Sequence, residues 1–331
     1  GGSVAPPLTT VDPDELDGED GEDGAAGTTT TTTSTTAPPA RPPAPVSRDL
    51  EVGARARTSV RLGDVLAAPV VSALVEAPGA DVIVEHRVTS VHGFDVKPCT
   101  TGGASTWHFA YGDTTVAARE LLVLFNPFPD DAIVEGRFST EDGVREPQRW
   151  TDGLVVPARG TVAVDLGDDV TRREEVAATI VARTGRIVVD RIVRIDGETD
   201  RGLTLQSGVP APMETWVYPD GRISPTLREE YVVYNPTEAL AEVELQFFLD
   251  EPEVNGIPES VDLSLPPGAH QVVDVNADGR VPQNVSHSAV IRSGNGVPVV
   301  AERVIFAAGE SAAARKGISV TTGAPLESRT W

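Results

Sequence analysis

The feature that most constrains this chain is a phrase of fifteen residues that occurs three times along it. The copies read GFDVKPCTTGGASTW at 93–107, GLTLQSGVPAPMETW at 202–216 and GISVTTGAPLESRTW at 317–331. The tryptophans that close the copies are 109 and then 115 residues apart. Repetition at a long, nearly constant period indicates structural units in tandem. Each copy is therefore predicted to mark a boundary between units, although the last copy can also be read as a strand that completes the final sheet.

Residues between the copies match one another at the same spacing of 109, which supports two full units. The matched pairs are Asn126–Pro127 with Asn235–Pro236, Pro157 with Pro266, and Asp165 with Asp274.

A partial unit precedes these two. Residues 52–88 resemble only the second half of a unit, and Arg87, Arg191 and Arg303 align with one another. The predicted organisation is a linker at 1–48, a half unit at 49–98, a first unit at 99–208 and a second unit at 209–331.

The units are predicted to be all-β. From about residue 50 onward, short apolar segments alternate with Gly, Pro, Asn and Asp, as is typical of strands and turns. In 243–249, apolar residues alternate with Glu and Gln, which places one face inward and the other in water. The runs at 187–195 and 298–306 are apolar on both faces, as in central strands. Helices are expected to be minor, and each unit is expected to be a β-sandwich.

Residues 1–48 are predicted to be disordered. They combine an acidic run at 12–24, a threonine tract at 28–36 and a proline-rich run, with almost nothing apolar to bury. Such a segment is typical of an unstructured linker or a stiff spacer that carries a folded head.

Charge narrows the range of partners. A net charge of -23 opposes nucleic acid and anionic membrane surfaces, so neither is expected as a direct partner. The longest apolar stretch, near 65–75, is interrupted by Pro69 and is too short to span a bilayer. Since the chain starts at Gly1 without a methionine or a signal peptide, we expect a trimmed piece of a longer exported protein, whose membrane anchor lies elsewhere.

Cys99 is the single cysteine of the chain. In an exported protein, an unpaired cysteine indicates either a free thiol or a disulfide with a residue outside the sequence. We favour the second alternative.

Two resemblances rest on these residues. The unit pattern resembles the sensory rhodopsin transducer fold, which implies a β-sandwich of about 120 residues; the likeness is carried by Trp107, Gly112, Asn126, Val156-Pro157-Ala158-Arg159 and Asp165. The tandem arrangement, with Cys99 eight residues before Trp107, is similar to an actinobacterial family of exported, membrane-proximal proteins (domain of unknown function family 5719). The second resemblance implies location and architecture, and it supplies no catalytic residues.

Calcium is one candidate ligand. Asp274, Asn276 and Asp278, followed by Gly279, match the opening of an EF-hand loop, but Val285 stands where the bidentate Glu belongs. A turn after a strand is the better interpretation. No catalytic motif and no His spacing suited to zinc is present, so neither catalysis nor a cofactor is expected.

The repeated tryptophans are candidate contacts. Trp107, Trp216 and Trp331 fit either sugar-stacking platforms or wedges packed at unit borders with the indole N–H bonded to backbone. The aligned arginines 87, 191 and 303 are expected to form salt bridges or interface contacts.

We therefore expect a non-catalytic, extracytoplasmic structural or interaction module of the cell envelope whose partner is another envelope protein. The alternative is a carbohydrate-binding module for cell-wall glycan.

Overall fold

The computed structural model describes residues 45–79, 81–309 and 316–325. The described part is built from antiparallel β-sheets, which confirms the predicted all-β class. The predicted disordered linker lies almost entirely outside the described residues, as does Trp331.

The first sandwich consists of two sheets between residues 106 and 207. One sheet has the strand order β3-β9-β5-β6, with β7 paired to β5, and the other has the order β11-β10-β4-β8. The strands are β3 (Thr106–Phe109), β4 (Ala118–Asn126), β5 (Ala132–Thr140), β6 (Gly143–Arg145), β7 (Leu154–Val156), β8 (Gly160–Asp165), β9 (Val176–Thr184), β10 (Val188–Asp196) and β11 (Arg201–Ser207).

The second sandwich repeats this plan. Its sheets have the orders β12-β17-β14-β15 and β16-β13-β18-β19. The strands are β12 (Thr215–Arg222), β13 (Leu227–Tyr234), β14 (Ala241–Leu249), β15 (Val261–Leu265), β16 (His270–Asp274), β17 (Ser286–Ser293), β18 (Val300–Ala308) and β19 (Lys316–Thr322).

Each sandwich has its own apolar core because alternate residues of both sheets point inward. Leu122 and Leu124 of β4 meet Val134 and Phe138 of β5 in the first core. The equivalent core of the second sandwich is formed by residues such as Tyr231, Val233, Val243, Leu245 and Phe247. As expected from runs that are apolar on both faces, β10 and β18 are central strands.

The repeated phrase starts with the last strand of a unit. Its copies contain β2 (Gly93–Pro98), β11 and β19, each of which pairs with the strand before it. For the last copy, the alternative interpretation holds in the structure: β19 completes the sheet of the second sandwich through its pairing with β18.

The matched asparagines stabilise the same turn in both sandwiches. The Asn126 side chain donates to the carbonyl oxygens of Asp130 (2.8 Å) and Val156 (3.1 Å). Asn235 donates likewise to Ala239 (2.7 Å) and Leu265 (2.9 Å). Both amides are buried, so each replaces backbone partners that the strand loses at the following proline.

Helices are short and peripheral. They are η1 (Leu62–Asp64), α1 (Gln148–Thr151), η2 (Leu166–Asp168), α2 (Pro252–Asn255) and α3 (Val275–Asp278). Among the described residues, no helix has the length and apolar character that crossing a bilayer requires.

The half unit differs from its prediction. Only its last two strands form, β1 (Glu85–Ser90) and β2, which make a hairpin. The prediction of strands from about residue 50 is wrong for the stretch before Glu85, where the described residues form only turns and η1. A strand requires a neighbour for its backbone hydrogen bonds, and no described residue provides one for this stretch.

Candidate functional site: the seam between the sandwiches

A third apolar cluster fills the seam between the two sandwiches. In β13, Tyr231 and Val233 face the core of the second sandwich, whereas Val232 and Tyr234 face the first sandwich. Both faces of this sheet are therefore buried. The cluster consists of Ala110, Tyr111, Ala177, Val193, Ile195, Val232, Tyr234, Val300, Val304, Phe306, Ile318 and Val320.

A buried ion pair crosses the seam beside this cluster. Arg191 of β10 contacts Glu302 of β18, with Nη1 to Oε2 at 3.1 Å and Nη2 to Oε1 at 3.3 Å. Their side chains are 0% and 2% exposed. A buried charge requires a partner and further hydrogen bonds to offset its lost hydration, so the seam depends on both residues.

Backbone groups complete the site of Glu302. Its Oε2 atom accepts hydrogen bonds from the backbone N–H groups of Ala110 (3.0 Å) and Tyr111 (2.7 Å), just after β3. Arg191 also donates to the Tyr111 carbonyl oxygen and lies 5.0 Å from the Phe109 ring centroid. The carboxylate of one sandwich is thus held by three groups of the other.

A chain of neutral hydrogen bonds crosses the seam at another point. Thr179 Oγ1 of the first sandwich is 2.9 Å from the Tyr234 hydroxyl of the second and 3.0 Å from Nδ1 of His108. Burial lowers the pKa of His108 to about 4. His108 is therefore neutral near pH 7, and its imidazole serves as a structural hydrogen-bonding group.

The rim of the seam is polar. His270 of the second sandwich bridges Ser139 (2.9 Å) and Glu175 (3.0 Å) of the first. Arg228 contacts Asp200 at 2.9 Å. These contacts surround the apolar cluster, as a polar rim surrounds the core of an interface.

An acidic cleft of about 420 Å³ opens at one end of the seam. Among the described residues, the one cation that lines it is Arg228, which lies over the Phe306 ring at 4.0 Å. Burial, more than the neighbouring carboxylates, raises the pKa of Glu230 to about 7 and raises the pKa of Asp113. Such a cleft repels anions. The lining carboxylates are Asp113, Glu174, Glu175, Glu198, Asp200 and Glu230.

Each sandwich also holds a buried glutamate 109 residues from its counterpart, Glu120 and Glu229. Glu120 Oε2 accepts from the Asp113 backbone N–H at 2.9 Å, and burial raises the pKa of Glu120 to about 8. A glycine lies beside each carboxylate because no side chain fits. A Cβ on Gly112 would lie 2.6 Å from Glu120 Oε2, and one on Gly221 would lie 2.8 Å from Glu229 Oε1.

The surroundings of Glu229 differ from those of Glu120. Its Oε2 atom is 3.3 Å from Nε2 of His287, and both side chains are fully buried. Its Oε1 atom accepts from the Tyr231 hydroxyl at 2.8 Å and lies 3.9 Å from Arg303. Because solvent does not reach these groups, the His287–Glu229 pair supports the core and is not placed to meet a substrate.

The aligned arginines are used in three different ways. Arg191 reaches the other sandwich through Glu302, whereas Arg303 contacts Asp220 of its own sandwich at 3.4 Å. Arg87 is exposed and lies 4.4 Å from the ring centroid of Phe94. Arg191 and Arg303 thus form the expected salt bridges, and only the one made by Arg191 lies between the two sandwiches.

The described tryptophans of the repeated phrase are core residues. Trp107 and Trp216 are each 2% exposed, and each belongs to the core of its own sandwich. Their indole N–H groups donate to the carbonyl oxygens of Ile187 and Val299, both at 2.8 Å. The indole–backbone bonds are as expected, but the side chains lie inside the sandwiches and present no free face to a sugar.

The residues of the calcium candidate have other partners. Asp274 caps α3 by accepting from the backbone N–H groups of Asn276 (2.8 Å) and Ala277 (3.1 Å). The Asn276 side chain bridges to Leu227 and Glu229, and Asp278 contacts Arg280. The described part of the chain holds no group of three or more His, Cys, Asp or Glu side chains suited to a metal ion.

Cys99 is partly exposed and unpaired within the described residues. Its sulfur atom lies 3.5 Å from Nδ1 of His86. Burial, together with Asp190 and Glu85, raises the pKa of the thiol. The thiol is therefore mostly protonated near pH 7, and its predicted pairing outside the chain stays a prediction.

Sequence reasoning found Arg191 but missed Glu302, Glu120 and Tyr111. In the sequence, Asp190 precedes Arg191 and Glu302 precedes Arg303. Because successive residues of a strand point to opposite faces, these neighbours are not expected to pair with each other. What sequence did not show is that the opposite face of β18 meets the other sandwich.

Comparison with known proteins adds a family and no activity. None of the curated proteins matches the chain. The crystal structure of Thermotoga maritima 1070 is 19% identical, with a TM-score of 0.31, and the alignment covers 35% of this chain and 97% of that one. A Streptomyces avermitilis alpha-L-rhamnosidase complexed with L-rhamnose is 11% identical, with a TM-score of 0.17, covering 68% of this chain and 28% of that one. At these scores neither similarity carries an argument. The model of a family of unknown function, DUF5719, matches residues 68–315, and the chain belongs to this family.

Proposed function

We propose that the protein is a non-catalytic structural and interaction module of the cell envelope, located outside the cytoplasm. The observation that carries the proposal is the buried Arg191–Glu302 pair, which joins two sandwiches through a solvent-excluded seam. A seam with an apolar core, a buried ion pair and a polar rim makes the two sandwiches one rigid body. Rigid bodies of this kind suit spacing and docking.

The buried ionisable groups support the non-catalytic part of the proposal. Glu120, Glu229 and Glu302 are out of contact with solvent and are held by backbone N–H groups or neighbouring side chains. A catalytic acid or base must reach the proton that it transfers. These carboxylates instead shape the cores and the seam.

The location outside the cytoplasm is supported by the sequence. The threonine and proline tracts before residue 48 are typical of spacers between a folded head and a surface. The charge of -23 disfavours nucleic acid and anionic membrane surfaces as direct partners, which is compatible with a protein partner.

Fractionation of the native host tests this proposal. With an antibody against the chain, we expect the protein in the envelope fraction, where protease added to intact cells digests it. Crosslinking of intact cells is expected to join it to an envelope protein. Recovery in the cytosol, protected from external protease, would refute the proposal.

A second candidate function is glycan binding. The residue that favours it is Phe248, and the tryptophans do not. Phe248 of β14 is 51% exposed on the outer face of its sheet. It lines a shallow cavity with Glu244, Gln246, Val290 and Arg292. An exposed ring flanked by polar side chains is suited to stacking against a sugar while hydrogen bonds fix its orientation.

Cell-wall polysaccharide binding, measured by pull-down with the purified full chain, separates the two functions. If glycan is the ligand, binding saturates and Phe248→Ala abolishes it. The matched control is Phe94→Ala, an exposed phenylalanine (61%) on the half unit. Absence of saturable binding, or equal loss in both variants, would eliminate the glycan function.

A further inference from the structure

None of the described residues of the half unit is buried. Between residues 45 and 98, every described side chain is at least partly exposed, although the segment contains runs such as VLAAPVV and DVIV. Exposed large apolar residues are concentrated here: Val46, Leu50, Val52, Leu62, Leu74, Val75, Val82, Ile83, Val91, Phe94 and Val96. Soluble proteins rarely expose so many without a binding function.

The half unit nevertheless contains one turn and one short helix that match those of the two sandwiches. Arg55, Arg159 and Gly268 occupy equivalent positions, and each has a left-handed backbone, with φ of 59°, 53° and 71°. The same turn hydrogen bond closes around each of them, with N to O distances of 3.0, 3.0 and 3.1 Å. The sequence LGD forms both η1 and η2.

Equivalent apolar positions are buried in the sandwiches and exposed in the half unit. Ile83 is 94% exposed, whereas its counterparts Ile187 and Val299 are completely buried. Leu62 of η1 is 37% exposed, whereas Leu166 of η2 is completely buried. The half unit therefore presents core positions without the core that covers them.

Polar groups of the half unit likewise lack the partners that their counterparts have in the sandwiches. Arg87 is exposed, whereas Arg303 is buried and lies 3.9 Å from Glu229, a carboxylate that the front half of its own sandwich supplies. The carbonyl oxygens of Ile187 and Val299, the counterparts of Ile83, accept hydrogen bonds from the indole groups of the repeated tryptophans. A partner that completed the half unit would supply a carboxylate and an N–H donor at these two places.

The missing covering layer is identifiable from the first sandwich. There, β8 pairs with β4, and β9 lies between β3 and β5. The half unit has segments that resemble β8 and β9 in sequence, but the described residues before β1 include no counterparts of β3, β4 and β5. Without these neighbours the backbone of both segments has no strand to pair with.

We infer that residues 45–98 are the second half of a third sandwich and that β-strands from polypeptide outside these 331 residues complete it. This inference deepens the proposed function, on which it rests, by specifying the partner. The partner carries strands of alternating apolar residues, a carboxylate that meets Arg87 and an N–H donor for the Ile83 carbonyl oxygen. Binding adds strands to exposed edges and buries the apolar face at the same time.

A second copy of this chain is a poorer fit. Its strands of the required kind, β3 to β5 and β12 to β14, already lie within its own sandwiches. The remaining surface that it can offer is another half unit, which lacks the same strands. Residues 1–44 are also unsuited, because an acidic run with threonine and proline tracts cannot supply an apolar strand face.

A chimera of the full chain tests the inference. A copy of residues 100–157 is inserted directly before Ala54, which reproduces the junction between Pro157 and Ala158 of the first sandwich. Hydrogen exchange, read by mass spectrometry, is compared with that of the unmodified chain. We expect exchange at 57–61 and 72–88 to slow by roughly tenfold or more, because these amides become strand amides in a closed core. Arg87→Ala is expected to reverse part of this protection, whereas Arg48→Ala, an exposed control, is not.

Two outcomes would overturn the inference. One is unchanged exchange at these segments in a chimera whose two original sandwiches still unfold cooperatively. The other is a dimer of the unmodified chain, detected by sedimentation, that Ile83→Asp dissociates, because a second copy would then be the occupant. Since exchange reports folding of residues 45–98 and not cellular location, a failed fractionation experiment leaves this test valid.

Discussion

At the scale of single residues, buried charged side chains and the groups bonded to them are the polar contacts that matter most for stability. Arg191 and Glu302 lie on different sandwiches and are the charged pair at the centre of the seam. Surface pairs such as Arg183 with Glu135 (2.7 Å) are solvent-screened and contribute little. Burial thus decides which ion pairs matter here.

Glu302→Gln is expected to destabilise the protein by about 3–5 kcal/mol, because it leaves the Arg191 charge buried without a counter-charge. The loss is measured in urea as the shift of the first transition of the variant relative to that of the parent chain. The matched control, Glu135→Gln at the surface, is expected to cost less than about 1 kcal/mol. Replacing both partners, Arg191→Met with Glu302→Leu, is expected to recover much of the loss. Equal effects of the two single substitutions would contradict the assigned role of the pair.

Glu120 makes stability depend on pH. Because burial raises its pKa to about 8 from 4.5, the folded state holds a proton that the unfolded state releases in this interval. Its contribution to stability is complete below pH 4.5 and is lost as pH rises towards 8. Glu120→Gln is expected to remove this part of the slope and to unfold at higher urea than the parent chain at pH 8. Parallel pH profiles for parent and variant would show that Glu120 does not titrate in this way.

At the scale of elements, close approach between a strand and a buried side chain selects glycine. Gly221 of β12 faces His287 of β17, and an added Cβ would lie 2.4 Å from the His287 Nε2 atom.

Strand β13 belongs to a sheet that is buried on both faces. Such a strand needs apolar residues at successive positions, as in Tyr231-Val232-Val233-Tyr234.

Gly221→Ala is expected to lower the free energy of unfolding by roughly 1–3 kcal/mol, since neither His287 nor Glu229 has space to move. Thermal unfolding measures the effect. Gly102→Ala serves as the control, because no atom lies within 4 Å of its added Cβ. If both variants melt at the same temperature, the packing around Gly221 is looser than described.

At the scale of the whole molecule, the seam couples the two sandwiches. Its apolar cluster, buried ion pair and crossing hydrogen bonds draw residues from both bodies. The half unit is different in kind, because its hairpin contacts both sandwiches through β11 and β19 while no described residue buries its apolar side chains. Asp95 of β2 accepts a hydrogen bond from the Leu205 backbone N–H at 2.9 Å, and Lys97 donates to the Val320 carbonyl oxygen at 2.7 Å.

The two sandwiches are therefore expected to unfold in one transition. Calorimetry of the full chain should give equal calorimetric and van't Hoff enthalpies, the test of a two-state process. Glu302→Gln is expected to separate the transition into two steps by weakening the seam. Two resolved transitions in the parent chain would mean that the seam does not couple the bodies.

The sequence by itself determined the features that depend on local pattern. Alternation along 243–249 specifies a strand with one buried face, and the spacing of 109 residues between Asn126 and Asn235 predicts the same turn twice. Turn geometry and side-chain alternation depend on residues that are close together in the chain, so both can be predicted from the sequence.

Only the tertiary structure decided which faces meet. Glu302 contacts Arg191 across 111 residues, and Trp107 lies within a core that the sequence did not distinguish from a unit border. The strand-like stretch before Glu85 stays irregular because strand formation depends on a neighbouring strand as well as on its own residues. Contacts between distant segments are set by packing and hydrogen-bond pairing in three dimensions, and no local pattern encodes them.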